Sequence, residues 1–169
     1  TKLSIDGGTP IDCTKVTDSG TTTTSTATEV TIVPTFLECG TEGAGHNMTV
    51  DMNGCHYLVR IGKSAGGHNT IQFVCPTGLS ARLTHPNCTI AIPAQTPSGG
   101  LSYTTTTENG KHALTVDVTV SGITAHYEGG ICVFLGTSHS ATINGSVTIA
   151  GINTAGSPVN ITATGSSGS

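Results

Sequence analysis

The chain has 169 residues, six Lys or Arg against ten Asp or Glu, a formal net charge of −4, 4% aromatic residues and no Trp. No basic stripe exists to displace counterions from phosphate, which excludes a nucleic-acid partner, and no apolar run approaches the ~20 residues of a membrane helix. Charged residues are only 9%, which argues against disorder by composition, so a single folded domain with a real core is expected.

Val, Ile and Thr supply 57 positions, and Thr (32), Gly (23) and Ser (15) together make 70. β-Branched residues are stiff at χ1 and suit a pleated surface, so the composition already predicts strands. The first is Lys2-Leu3-Ser4-Ile5-Asp6, which alternates and is followed by the hinge Gly7-Gly8-Thr9-Pro10. Leu3 and Ile5 would face one way from an assembly strand that docks either in its own sheet or on the sheet edge of a neighbouring copy. Residues 1–8 are therefore read as a strand open to exchange, 9–164 as one β-sandwich domain, and the Gly/Ser tail 165–169 as a linker. A start at Thr1, with no charged or apolar leader, is what a processed secreted chain would show.

Further short strands are expected at 11–17, 28–33, 48–52, 57–61, 70–75, 79–84, 89–92, 101–107, 113–120, 123–127, 131–135, 146–149 and 159–164. Turn signals separate them, among them Asn53-Gly54, Asn109-Gly110 and Asn144-Gly145, where positive φ costs little. Glu108-Asn109-Gly110-Lys111 is the clearest hairpin. No window carries a helical period free of glycine or β-branched runs, so the expected fold class is all-β with almost no helix. A two-sheet antiparallel β-sandwich of Ig-like or jelly-roll type, with about a dozen strands, fits best.

Catalytic patterns are weak. Gly62-Lys63-Ser64-Ala65-Gly66 matches G-x-S-x-G, but a nucleophile elbow needs a helix and a parallel sheet, and here antiparallel strands flank it. Seven histidines (46, 56, 68, 85, 112, 126, 139) show no metal-ligand spacing. His112 and His126 would become neighbours only across a hairpin, beside Asp117 or Glu128. The ten acidic residues offer no calcium loop and no carboxylate pair for glycoside hydrolysis. No reaction, cofactor or metal is assigned.

Cys13, Cys39, Cys55, Cys75, Cys88 and Cys132 form an even set without a C-x-x-C pair, which reads as a disulfide framework in an oxidising compartment. Six cysteines allow 15 connectivities. Local spacing points to Cys39–Cys55 and Cys75–Cys88, leaving Cys13–Cys132. N-x-[ST] acceptors occur at Asn47, Asn87, Asn144 and Asn160, and the Thr runs at 21–24 and 104–107 are open to O-linked sugar.

Met52-Asn53-Gly54-Cys55-His56-Tyr57, Phe73-Val74-Cys75-Pro76, Asn87-Cys88, Ile92-Pro93-Ala94-Gln95-Thr96 and Val120-Ser121-Gly122-Ile123-Thr124 resemble a family of uncharacterised, secreted six-cysteine β proteins of soil actinobacteria of the Solirubrobacter type. The resemblance covers about two thirds of the chain, from Cys39 onward, and implies secretion, a disulfide-linked β fold and a cell-surface setting. It brings no activity and no catalytic residues.

The function expected from these features is a secreted structural protein of the cell surface, a self-assembling subunit of an extracellular or pilus-like filament joined by β-strand donation. Its partner would be further copies of itself. The alternative is a monomeric extracellular module binding a glycan or surface ligand through loops 40–46, 62–69 and 94–100.

Overall fold

The alternating β-branched segments do become strands, and every ladder between them is antiparallel. A computed structural model describes residues 1–5, 10–21, 28–41, 45–60 and 69–161. In chain order the strands are β1 (Lys2–Ser4), β2 (Ile11–Thr21), β3 (Glu29–Thr41), β4 (Thr49–Asp51), β5 (His56–Arg60), β6 (Thr70–Val74) and β7 (Ser80–His85). They continue with β8 (Cys88–Pro93), β9 (Ser98–Glu108), β10 (Lys111–Gly130), β11 (Thr137–Ile149), β12 (Gly151–Ile152) and β13 (Pro158–Val159). Eleven of them share one sheet, in the order β4-β7-β8-β10-β11-β1-β2-β3-β5-β6 with β9 also beside β10, and β12 and β13 form a separate pair.

The two-sheet sandwich is therefore corrected to one strongly curled sheet, a half-barrel. The cause is β10, which runs 20 residues where two strands were expected. Its register with β11 shifts between Val120 and Ile123 and again between Ile123 and Ala125, beside Gly122 at φ 69°. Bulges bend a strand and increase its twist without ending it. The same edge of β10 then pairs first with β9 (Ser121↔Ser98 to Lys111↔Glu108) and, past the bulges, with β8 (His126↔Ala91 to Gly130↔Cys88).

Between those two partners β10 has a stretch without a neighbouring strand, and one side chain fills it. Gln95 accepts from the Thr124 N–H through Oε1 at 2.7 Å and donates from Nε2 to the Thr124 carbonyl at 3.0 Å. Its own backbone exchanges two 2.8 Å bonds with Phe73 of β6. One end of the sheet is thus tied back to the middle of β10. The other end is tied by the Cys39↔Met48 bridge, which draws the β4 side against β3. The curled interior is packed with Leu3, Ile71, Leu83, Leu101, Val116 and Ile123, among others.

Two local expectations fail for identifiable reasons. Residues 131–135 form a turn with a 3-10 helix at Val133–Leu135 instead of a strand. Asn144-Gly145 lies inside β11, paired with Thr119 and Val118, instead of turning. The approach there is close: a Cβ at Gly145 would stand 3.0 Å from Thr1 Oγ1, so a larger residue would displace the Thr1 side chain. The Asn109-Gly110 hairpin is present, with φ of 52° and 74° as a two-residue primed turn requires.

All six cysteines are paired, but as Cys13–Cys39, Cys55–Cys75 and Cys88–Cys132. The expected pairs Cys39–Cys55, Cys75–Cys88 and Cys13–Cys132 are wrong because sequence proximity is not ladder adjacency. Cys13 stands directly opposite Cys39 in the β2–β3 register. Cys55 and Cys75 lie just beyond the His56↔Val74 pair. Cys88 pairs with Gly130, close to Cys132.

Peptide mapping of the non-reduced protein should recover those three bridges and none of the three expected from spacing. Loop separations of 26, 20 and 44 residues put each at about 3–4 kcal/mol on the chain-entropy model. Gln95→Ala should cost about 2 kcal/mol in guanidinium unfolding, because it strands the Thr124 N–H and carbonyl at a site no other strand covers.

Candidate functional site

β1 is held on both sides, with Lys2–Ser4 paired to Asn144–Thr142 of β11 and Lys2 and Leu3 paired to Asp12 and Ile11 of β2. Leu3 and Ile5, the proposed assembly strand, are each 7% exposed and belong to the core of their own chain. Two strand spacings, about 9.6 Å, therefore separate β2 from β11 at this level. At Thr1 the filling stops, where the residue's backbone still exchanges bonds with Cys13 at 3.0 and 3.2 Å. Beyond it, the β2 edge from Thr14 and the β11 edge from Gly145 to Ile149 continue, and no described strand pairs with either on that side.

A cavity of about 350 Å³ runs through the curled interior, lined by core residues such as Leu83, Leu101 and Val116, and on the β2 and β11 side its lining extends, as a cleft, to these edges. Val16, Ile32, Phe36, Val118 and Val147 line it, together with the backbone of Gly145 to Thr148. Val16 and Val147 sit on the facing strands, so the cleft has apolar walls and unpaired backbone rims. That combination is the geometry an extended peptide would need, with backbone groups pairing along the rims and alternate side chains turned inward.

Two polar side chains line this space, Tyr57 half-buried and Asp18 solvent-exposed. Desolvation raises the Asp18 carboxyl above its ordinary range. Burial first, and the Asp18 charge second, push the Tyr57 phenol up to about 12. Tyr57 is itself fixed by Phe73, their ring centroids lying 5.3 Å apart.

The remaining sequence candidates are dispersed. Asn47, Asn87, Asn144 and Asn160 are all exposed, on different parts of the surface. Asn47 Nδ2 lies 3.1 Å from His85 Nε2, and Asn160 Oδ1 accepts from the His112 N–H at 3.0 Å. His112 and His126 stand at opposite ends of β10 and do not meet. His126 and His139 instead bond Thr137 and Thr124 hydroxyls at 2.9 and 3.1 Å. Among the described residues no three His, Cys, Asp or Glu side chains are grouped to hold a metal ion, and no helix is long and apolar enough to cross a membrane. The G-x-S-x-G segment at 62–66 and most of loop 62–69 lie outside the described residues, as do 42–44 of loop 40–46 and the Thr run from 22 to 24. Loop 94–100 is described, but Gln95 and the start of β9 use it to tie the sheet together.

Sequence reasoning missed two features. The cleft was invisible because it arises from where β1 ends between two longer strands. The turn after β10 was misread as a strand, and it presents Ile131, Val133, Phe134 and Leu135 outward, with Phe134 91% exposed. Four bulky apolar residues in five positions carry that signal, but they read equally well as a buried strand.

No family model, curated protein or solved structure matches this chain.

Because the folded Tyr57 pKa lies above the ordinary value near 10, stabilisation by the neutral phenol is complete below pH 10. It is lost as pH rises from about 10 towards 12. Absorbance titration should show one phenol ionising near pH 12, and Asp18→Asn should lower that value by removing the neighbouring negative charge. Asp18→Asn should also raise stability at neutral pH, since the charged form is the one that burial disfavours.

Proposed function

We propose that the chain is a secreted structural protein of the cell surface, the self-assembling subunit of an extracellular filament joined by β-strand addition. The supporting observation is the unfinished slot between β2 and β11, in which β1 fills three positions and the rest of both rims runs on unpaired among the described residues. A long unpaired edge in water is a template for another chain. Contact through a slot on one copy and a strand on the next is heterologous, and such contacts propagate unless the geometry closes.

Three disulfides place the fold in an oxidising compartment. The oxidising compartment is consistent with secretion, and the cell-surface setting is part of the proposal. Exchange of β1 itself is one route to assembly, because Leu3 and Ile5 would make the same contacts in a neighbour as at home. The exterior suits close packing, with charged residues at 9% and exposed threonines along β9, β10 and β11, so little charge repulsion opposes neighbouring copies.

The test is light scattering of the non-reduced protein across a concentration series, with negative-stain electron microscopy. Mass well above 17.0 kDa together with regular fibres is expected. Val147→Asp, which puts a charge in the cleft wall, should remove the fibres while leaving the far-UV spectrum unchanged. A monomer at every concentration overturns the filament reading and leaves the binding module.

A further inference from the structure

β11 offers four rim positions beyond Thr1, Ser146 to Ile149, so the slot would suit a short extended segment with apolar residues at alternate positions. The segment must also detach from its own chain at low cost. β1 does not meet the second condition well, because Leu3 and Ile5 are each 7% exposed and the strand is paired on both sides.

The segment that begins with β13 does. Pro158-Val159-Asn160-Ile161 carries Val159 and Ile161 two apart, and residues two apart in a strand face the same way. Its backbone attachment at home is slight, although Ile161 packs partly buried against the core of its own chain. β13 pairs only with the two residues of β12, outside the main sheet. Beyond that pair, Ile161 N–H donates to the His112 carbonyl at 2.9 Å and Asn160 Oδ1 accepts from His112 N–H at 3.0 Å. Residues 158–160 are exposed, and Ile152 beside them is 73% exposed. Pro158 lacks an N–H, which a strand tolerates at its first position. No charged residue occurs from Gly145 to the end of the chain, so inserting the segment would bury no charge of its own.

We infer that the slot between β2 and β11 takes the Pro158–Ile161 segment of a second copy of this chain, with Val159 and Ile161 entering the cleft beside Val16 and Val147. This inference rests on the strand-addition reading and names its donor. The donated strand would add backbone bonds to both rims and place two aliphatic side chains in the cleft.

The test uses the full chain and a fluorescein-labelled peptide covering residues 157–164. Fluorescence polarisation should show saturable binding of the peptide to the intact protein, weakened at least tenfold by Val147→Asp in the protein and at least tenfold by replacing the peptide's Val159 and Ile161 with Asp. In the full chain, Val159→Asp with Ile161→Asp should abolish self-association while the far-UV spectrum stays that of the folded chain, with some fall in thermal midpoint because Ile161 packs against its own core. Association that survives the double variant but is lost in Val147→Asp overturns this donor and keeps strand addition, with β1 then the donor. A protein that stays monomeric but binds the peptide through the cleft supports the segment–slot pairing while the filament reading fails. A discrete dimer supports the same pairing with reciprocal closure in place of a fibre. Absence of peptide binding, together with unchanged association in the double variant, overturns the inference.

Discussion

The side chain of Gln95 stands in for a missing strand. At the bulges of β10 the chain passes from β9 to β8, and Thr124 would face that edge with its peptide groups unmet. A glutamine amide has the same donor and acceptor as a peptide, and Gln95 presents both to Thr124 while its backbone pairs with Phe73. Without that tie, the β5–β6 end of the sheet would keep its ladder to β3 and the Asn69 Nδ2 bond to the Leu101 carbonyl but lose its link to the middle of β10. The curl of the sheet, and with it the cleft, depends on one end being anchored to the middle.

The disulfides act at the periphery of the same design. Each joins two chain segments that lie next to each other in the ladder, so each restrains a hairpin or a strand pair and none spans the half-barrel. With few aromatics and no tryptophan, the core supplies modest burial per side chain, and cross-links that limit the unfolded ensemble supply what larger side chains would otherwise contribute.

The strand content was legible because period-2 alternation of β-branched residues has no helical counterpart, and the Asn109-Gly110 turn because two consecutive positive-φ positions favour that dipeptide. The curl was not. Gly122 marks the bulge, yet a glycine between two alternating runs reads as a chain reversal until the continuous pairing of β10 with β11 is known. Asn144-Gly145 misled in the opposite sense, for its glycine answers to Thr1 at the end of β1, a contact 144 positions away in sequence. Cysteine pairing failed for the same reason: register, which no spacing encodes, brought Cys13 opposite Cys39. The candidate site was least legible of all, being defined by backbone edges and not by side-chain types.

Exposed edges endanger a β protein unless they are covered, and this chain covers its sheet ends selectively. The β6 end is occupied by Gln95 and the β4 end by its bridge to β3. Among the described residues, the rims of β2 beyond Cys13 and of β11 beyond Asn144 are left open, side by side, with an apolar floor between them. Asp18, solvent-exposed, lines that space with its carboxyl pKa raised by partial desolvation, and a charge beside an open edge disfavours indiscriminate strand addition. Any strand that enters must do so without a second negative charge nearby. The uncharged stretch from Gly145 to the end of the chain meets that requirement, whereas Lys2-Leu3-Ser4-Ile5-Asp6 would carry Asp6 into the assembly with it. On the proposed strand-addition reading, the charge that would make the slot selective is the same feature that would favour an uncharged donor over the amino-terminal one.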